Sequence, residues 1–296
     1  GITGAMPDGT GLDYLQNACP KNYFDVGIAE EHGITFAAGM ATQGIIPVVA
    51  IYSTFMQRGF DQIIHDIALQ KLHVVFVMDR AGLVGADGPT HHGVFDISYL
   101  RMIPGMVVMA PKDEAELRDM LYTAVEYKNG PIALRYPRGS ALGVEIKDGF
   151  RKIEIGKAEK LIDGDDVALL ALGSMVDYSL KAEAKLKTQG INCEVINMRF
   201  AKPLDTDMLD NIAEKFQKII TLEENNLPGG FGSAVAEYFI SKNYKNDLQF
   251  IGIPDKFVDH GTQEELHHIL GIDPDGIVER VKEFTQLNKI KHEVSL

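Results

Sequence analysis

The chain of 296 residues is 45% hydrophobic and 24% charged, with 29 Lys and Arg against 42 Asp and Glu and a net charge of -13. This average composition excludes a disordered or collagen-like chain, and two widely separated cysteines exclude a disulfide scaffold. The acidic balance argues against nucleic-acid binding, and no apolar run in the sequence reaches the ~20 residues that span a bilayer. We therefore expect a cytoplasmic globular protein that binds neither nucleic acid nor membrane.

Short runs rich in Val, Ile and Met alternate with helical patterns in the first half of the chain. In chain order the predicted strands are Tyr23–Ile28, Pro47–Tyr52, His73–Met78, Met106–Met109 and Ile132–Tyr136. The predicted helices are Glu30–Gln43, Phe60–Leu69 and Asp113–Tyr127. This alternation predicts a parallel sheet with helices on both faces.

A second series of the same kind follows a stretch of mixed polarity. The predicted strands are Val167–Leu172, Cys193–Asn197, Lys218–Leu222 and Gln249–Ile253. The predicted helices are Val176–Gln189, Asp207–Phe216, Ser233–Lys242, Gln263–Leu270 and Ile277–Leu287. The sequence therefore predicts an α/β protein of two domains in series, residues 1–145 and 158–296, joined by a linker at 146–157.

The first segment with chemistry-bearing residues is Ile28-Ala-Glu-Glu-His32, where a predicted strand gives way to an apolar helix. Ligands usually lie at the carboxyl ends of strands in such sheets, so Glu30 or Glu31 is a candidate acid–base group. The alternative is that both acids only stabilise the amino-terminal end of the helix, the commoner role at that position.

The second segment, Tyr52–Arg58, again joins a strand end to a helix. Tyr52 and Phe55 can form an aromatic wall, and Arg58 can reach an anion. In the alternative interpretation, Phe55 is a core residue and Arg58 is solvated.

The third segment, Asp79–Gly93, is rich in glycine and too ionisable for the core. Arg80 can hold an anion, Asp87 can accept a hydrogen bond, and His91 and His92 can carry protons. A zinc site, as in a metallohydrolase, is the competing interpretation. It is weakened because adjacent histidines do not readily ligate one metal and no third ligand stands at a recognised spacing.

The fourth segment is Arg135-Tyr-Pro-Arg138, in which Pro137 ends the strand. Arg138 is expected at the same edge as the other segments, and Arg135 on the opposite face in a structural ion pair. In the second domain, the glycines of Gly229–Ser233 could cradle a phosphate, but we favour a structural role for them and for Glu223–Asn226. His260 is interpreted as a loop residue.

In order and spacing, these four segments resemble the thiamine-diphosphate-dependent transketolase superfamily. Leu222–Asn225, Gly229–Val235 and Gly261–Glu265 extend the resemblance into the second domain. It implies that residues 1–145 are a pyrimidine-binding domain and 158–296 a transketolase C-terminal domain. The family's Gly-Asp-Gly motif for Mg²⁺ and the diphosphate is not found. We therefore expect a fragment that lacks an N-terminal domain, and the family implies a homodimer.

The resemblance assigns roles to individual residues. Glu30 would hydrogen-bond N1′ of the cofactor's aminopyrimidine, with Phe55 stacked on that ring and Ile28 packed beside it. Arg80 and Arg138 would hold a substrate phosphate, and His91 would be the proton carrier. The substrate side as a whole would be lined by Tyr52, Arg58, Arg80, Asp87, His91 and Arg138.

The implied activity is that of a transferase. Pyruvate is decarboxylated and condensed with D-glyceraldehyde 3-phosphate to give 1-deoxy-D-xylulose 5-phosphate, the first step of the methylerythritol phosphate route to isoprenoids and a precursor of thiamine and pyridoxal. The isolated chain is expected to be inactive. The alternatives are a transketolase half-subunit, the β-subunit of a 2-oxoacid dehydrogenase, and a non-catalytic interaction module.

Overall fold

A computed structural model describes the backbone of residues 1–293 and the side chains of residues 1–285. Its twelve strands are β1 (Ile2–Thr3), β2 (Phe24–Asp25), β3 (Val48–Tyr52), β4 (Val75–Asp79), β5 (Val107–Met109), β6 (Ile132–Arg135), β7 (Glu159–Ile162), β8 (Val167–Ala171), β9 (Cys193–Asn197), β10 (Phe200–Lys202), β11 (Lys218–Asn226) and β12 (Asp247–Ile253). Most of these strands are runs of buried β-branched and aliphatic residues, which suit a sheet covered on both faces.

The α-helices of the described residues are α1 (Pro7–Thr10), α2 (Leu12–Ala18), α3 (Glu30–Thr42), α4 (Ser53–Met56), α5 (Phe60–Gln62), α6 (Asp96–Arg101), α7 (Glu114–Glu126), α8 (Met175–Lys187), α9 (Thr206–Lys215), α10 (Phe231–Ser241), α11 (Gln263–Leu270) and α12 (Pro274–Glu293). Short 3₁₀ turns lie at Pro20–Asn22, Gln57–Gly59 and Gly85–Asp87, and a π-helical segment at Ile63–Ala68. No helix in the described part of the chain is both long and apolar enough to cross a membrane.

The strands form two sheets. The first has the order β10-β5-β6-β4-β3-β1-β2, and the second has the order β12-β11-β8-β9-β7. Every pairing is parallel except those of the edge strands β10 and β7, which are antiparallel to β5 and β9. The α/β class predicted from the sequence is confirmed.

Strand β10 lies in the second half of the chain but completes the first sheet. Phe200 pairs with Met109 of β5, and its side chain is fully buried in the same apolar cluster as Val107 and Ile132. Another core cluster contains residues of both halves, including Phe76 and Leu170. The two halves are therefore joined by a shared sheet as well as by a shared core.

Several boundaries differ from the sequence-based expectations. The strand expected at Tyr23–Ile28 is only Phe24–Asp25, because Gly27 turns the chain with φ of 70° before α3 begins. The helix expected at Phe60–Leu69 is divided between α5 and the π-helical segment. Elements absent from the sequence analysis are short ones: β1, β7, β10, α1, α2 and α6.

Candidate active site

Three of the four sequence segments meet because the strands that precede them are neighbours. In the first sheet, β3, β4 and β6 lie side by side and parallel, so Tyr52, Asp79 and Arg135 end at the same edge. The segments that follow them carry the predicted site residues, as expected at the carboxyl edge of a parallel sheet. Glu30 joins them from the start of α3, which packs against the helical segment after β3.

Glu30 is a buried carboxylate with one oxygen engaged. Its side chain is 3% exposed, and Oε1 accepts a hydrogen bond from Arg58 Nη1 at 2.7 Å. Among the described residues, Oε2 has no hydrogen-bond donor. Glu31, the other acid of the first turn of α3, is exposed. Helix-dipole stabilisation applies to both acids, but it does not explain why only Glu30 is buried against an arginine.

An aromatic row connects the remaining residues. The rings of Tyr52 and Phe55 stack with centroids 6.0 Å apart, and the rings of Phe55 and His91 lie nearly perpendicular with centroids 5.3 Å apart. Arg58 lies over Phe55 at 5.0 Å, and Arg80 lies over Tyr52 at 3.8 Å. These cation–π distances place both guanidinium groups against the aromatic row.

Arg80 has an unusual backbone conformation. Its φ is 58°, a left-handed value that non-glycine residues rarely adopt and that often marks a functional site. Its Nη1 lies 3.0 Å from Asp79 Oδ2. Burial raises the pKa of Asp79, although the Arg80 charge opposes that shift. Burial likewise raises the pKa of Tyr52, again opposed by Arg80.

Asp87 and Arg138 form an ion pair of 2.6 Å at the rim of the site. The two side chains are 36% and 43% exposed, and Arg138 Nη1 also donates to the Val84 carbonyl at 3.2 Å. Both charges act on the Tyr52 phenol, since each contributes to its pKa. The pair therefore lies close to the aromatic row, in a position open to solvent.

The two adjacent histidines have different environments. His91 is half-buried, with Nδ1 2.9 Å from Thr90 Oγ1 and its ring against Phe55. His92 is buried; its Nδ1 accepts from the Val84 amide at 3.1 Å, and its Nε2 lies 3.3 Å from the Asp259 carbonyl. Burial lowers the pKa of His92. His92 thus fixes the backbone of the glycine-rich segment, whereas His91 faces the candidate site.

The other residues singled out in the sequence also have clear environments. Ile28 is 82% exposed, so its side chain is available to a ligand or another chain. His260 is an exposed loop residue. Arg135 is buried in an ion pair of 2.9 Å with Asp96, the structural role expected for it. Among the described residues, no three His, Cys, Asp or Glu side chains are arranged to hold a metal ion.

The glycine turn before α10 is occupied by a side chain of this protein. The two carboxylate oxygens of Glu223 accept from the amides of Phe231 and Gly232 at 2.7 and 2.8 Å. Glu223 is fully buried, which raises its pKa to about 7. The helix end therefore binds an internal carboxylate, in agreement with the structural role favoured from the sequence.

A cavity of about 610 Å³ lies between the two halves of the chain, next to the aromatic row. The first half lines it with residues that include Arg80, Tyr136 and Arg138, and the second half with residues that include Ser174, Tyr178, Gln263 and His267. These four residues of the second half are not among the site residues expected from the sequence. A pair of acids at 223–224 inside an apolar strand was the one local signal that this region holds buried polar contacts.

Comparisons with known proteins agree with this organisation. The family described as "Transketolase, pyrimidine binding domain" matches residues 1–142, and "Transketolase, C-terminal domain" matches residues 156–277. A solved structure titled "Split gene transketolase, inactive beta4 tetramer" superposes with a TM-score of 0.84 at 30% identity, covering 97% of this chain and 91% of that chain.

Curated relatives are longer than this chain. The 1-deoxy-D-xylulose-5-phosphate synthase of Acaryochloris marina is 55% identical over 282 residues, 95% of this chain and 44% of the relative. The synthase of Synechocystis sp. is 58% identical over 275 residues, 93% of this chain and 43% of the relative. The chain thus spans a little under half the length of these relatives. It belongs to the transketolase family and carries, in series, that family's pyrimidine-binding and C-terminal domains.

Proposed function

We propose that this chain supplies the pyrimidine-binding half of an active site that condenses pyruvate with D-glyceraldehyde 3-phosphate. The products are 1-deoxy-D-xylulose 5-phosphate and carbon dioxide. The observation that carries the proposal is the buried Glu30 carboxylate, which has one oxygen free of donors and lies beside the Arg58–Phe55 contact. The names of relatives that are 52–58% identical to this chain support the choice of reaction.

The residues fit the aminopyrimidine of thiamine diphosphate. A ring nitrogen that must exchange a proton needs a carboxyl group shielded from water, which Glu30 provides, and a flat apolar surface, which Phe55 provides. Ile28 is exposed two residues before Glu30 and would pack beside the same ring. When bound, the cofactor supplies the carbon nucleophile that accepts the two-carbon unit of pyruvate as carbon dioxide leaves.

The arginines fit a phosphate. Arg80 and Arg138 line the same cavity, and guanidinium groups form strong charge-assisted hydrogen bonds with phosphate oxygens. His91 lies against Phe55, where it can move a proton to or from a substrate oxygen. Tyr52, Arg58 and Asp87 would complete the substrate side.

The rest of the site must come from elsewhere in the complete enzyme. We propose that an N-terminal domain holds Mg²⁺ and the diphosphate, that the enzyme is a cytoplasmic homodimer, and that this chain alone is inactive. Within the chain, we propose domains at 1–145 and 158–296 with a linker at 146–157. The matches at residues 1–142 and 156–277, and the greater length of the relatives, support this division.

The main test replaces Glu30 by Gln in the complete enzyme, meaning this chain together with the segment equivalent to the first half of its relatives. Loss of the proton-sharing carboxyl is expected to lower kcat about 100- to 10,000-fold with pyruvate and D-glyceraldehyde 3-phosphate. Glu31→Gln, in the same helical turn but exposed, is the matched control and is expected to stay within about twofold of wild type. Full activity of Glu30→Gln would refute the role, and a non-catalytic interaction module predicts that outcome.

A transketolase half-subunit remains a second candidate, because the structural neighbour titled as a transketolase is 30% identical over nearly the whole chain. The complete enzyme should be assayed with pyruvate and, separately, with a ketose phosphate as the donor. Turnover with pyruvate as the donor, and none with the ketose phosphate, supports the proposed reaction. Turnover with the ketose phosphate, and none with pyruvate, would assign the second candidate.

A further inference from the structure

The loop of residues 80–93, here called the arginine loop, carries Arg80, Asp87 and His91. Its base is closed by two backbone hydrogen bonds between Gly82 and Gly93, of 2.7 and 2.8 Å. Between these ends, His92 and Arg138 of the same domain bond the backbone of Val84, and side chains of the second half of the chain bond the backbone of Leu83. The contacts at Leu83 come from the second half of the chain.

Glu224, on β11 of the second half, reaches the arginine loop through a buried carboxylate. Oε1 accepts from the Leu83 amide at 2.9 Å and lies 2.8 Å from His267 Nε2, while Oε2 accepts from Ser174 Oγ at 2.7 Å. The carboxylate packs directly on Gly82, where a Cβ atom would overlap the carboxyl carbon. A carboxylate with three donors and 2% exposure is held in one orientation.

Burial alone would raise the pKa of Glu224, but the hydrogen bonds from His267, Leu83 and Ser174 outweigh burial and lower it. The pKa of His267 is raised, because the Glu224 contact outweighs its own burial. Tyr178 Oη lies 2.9 Å from His267 Nδ1 on the other side of the ring. These contacts favour an ionised, fully bonded Glu224.

Gln263, at the start of α11, makes the second contact. Its Nε2 donates to the Leu83 carbonyl at 2.6 Å and to the Arg138 carbonyl at 3.1 Å. Both backbone groups of Leu83 are therefore bonded to the second half of the chain. The same amide group joins the arginine loop to the separate segment that carries Arg138.

We propose that Glu224 and Gln263 are positioning residues, through which the C-terminal domain sets the spacing of Arg80 and Arg138 for a phosphomonoester. This inference rests on the proposed function. Neither residue needs to touch the substrate, because each acts on a backbone group of Leu83 or Arg138. Small displacements of the two guanidinium groups would weaken binding of the phosphate steeply, because charge-assisted hydrogen bonds depend on distance and angle.

The experiment measures KM for both substrates in the complete enzyme. Glu224→Ala is expected to raise KM for D-glyceraldehyde 3-phosphate at least tenfold and to leave KM for pyruvate within about twofold. Glu223→Ala removes the neighbouring buried carboxylate of the same strand, which bonds α10 rather than the loop, and should leave both KM values unchanged. An unchanged KM in Glu224→Ala, or an equal rise in Glu223→Ala, would overturn the inference.

Gln263→Ala provides a second variant, because Gln263 is only half-buried and its loss threatens folding less than loss of Glu224. It should show the same selective rise in KM, with the adjacent exposed Glu264→Ala as its control. If both Gln263→Ala and Glu224→Ala fold and bind the phosphate substrate as wild type does, the positioning role is excluded.

Hydrogen exchange separates failure of this inference from failure of the proposed function. In this chain, without substrate, the Leu83 amide should exchange at least tenfold faster in Glu224→Ala than in Glu223→Ala, since only the former loses its acceptor. Equal exchange rates would refute the contact whatever the reaction is. Faster exchange in an enzyme that does not use D-glyceraldehyde 3-phosphate would instead refute the proposed function.

Discussion

Arg80 and Arg138 approach one cavity from different strands, and each already has a carboxylate partner. The partner of Arg80 is the buried Asp79, whereas Arg138 pairs with the half-exposed Asp87. Exposed ion pairs contribute only about 0–1 kcal/mol, so a phosphate can displace Asp87 from Arg138 at small cost. Arg80 is held more firmly, because it also lies over Tyr52.

At the residue scale, the first prediction concerns Arg138→Gln in the complete enzyme. Loss of a charged donor to phosphate is expected to raise KM for D-glyceraldehyde 3-phosphate about 10- to 100-fold and leave KM for pyruvate nearly unchanged. Arg151→Gln, which removes an arginine beyond the site, is the control. A parallel change in both KM values would contradict a phosphate-specific role.

The role of His91 leads to a second prediction at this scale. Because its ring contacts Phe55, His91→Ala should lower kcat with pyruvate and D-glyceraldehyde 3-phosphate, by about 100-fold if it carries a proton. His260→Ala removes an exposed histidine outside the aromatic row and serves as the control. Steady-state kinetics should show a change in kcat for His91→Ala alone, and equal kinetics in the two variants would refute the assignment.

At the element scale, the amino-terminal end of α10 is bound by Glu223 instead of by a ligand. The carboxylate accepts hydrogen bonds from two amides that would otherwise lack partners at the helix start. Glycine is needed at both positions, because a Cβ atom at Gly230 would collide with Glu223 and one at Gly232 with Thr221 and Phe250. From the sequence alone, the same glycines are also compatible with a turn that binds a phosphate.

The pH dependence of stability tests this arrangement. Burial raises the pKa of Glu223 in the folded chain to about 7, above its ordinary value of 4.5. The contribution of this shift to the unfolding free energy is therefore greatest below pH 4.5 and is lost as the pH rises through 7. Relative to Glu223→Gln, the wild type should lose about 3 kcal/mol of unfolding free energy over that range, at about 1.4 kcal/mol per pKa unit. Urea unfolding at several pH values measures the difference, and a pH-independent difference would contradict the raised pKa.

At the scale of the whole molecule, β10 joins the two halves in one sheet. This strand belongs to the second half by sequence and to the first sheet by pairing, and its Phe200 is fully buried in the first half's core. Removing that ring would leave a cavity beside β5. It would also weaken the pairing of the outermost strand, β10, with β5 in the sheet that carries the site.

Phe200→Ala is therefore expected to lower the unfolding free energy by about 3–5 kcal/mol, with both halves still unfolding in one transition. Phe257→Ala removes a ring that is 84% exposed and should change stability by less than about 0.5 kcal/mol. Denaturant unfolding followed by circular dichroism and by hydrogen exchange checks both values. Independent transitions for the two halves in the wild type would contradict the shared sheet.

The sequence by itself determined the α/β class, the longer strands and the four segments of the candidate site. Val75–Met78 in β4 is a continuous apolar run, and three of the site segments directly follow such runs, so the local pattern is enough to place Tyr52 and Arg80 at one sheet edge. These features depend on interactions within a few residues or on the general rule for parallel sheets.

Only the tertiary structure decided which polar groups are partners. The short edge strands β7 and β10 carry no periodic signal, and their places depend on the strand beside them. Glu224 meets Leu83 across 141 residues of chain, and Glu223 fills a turn that could have held a phosphate. Burial of a carboxylate is tolerated only where donors surround it, and those donors come together only when the chain has folded.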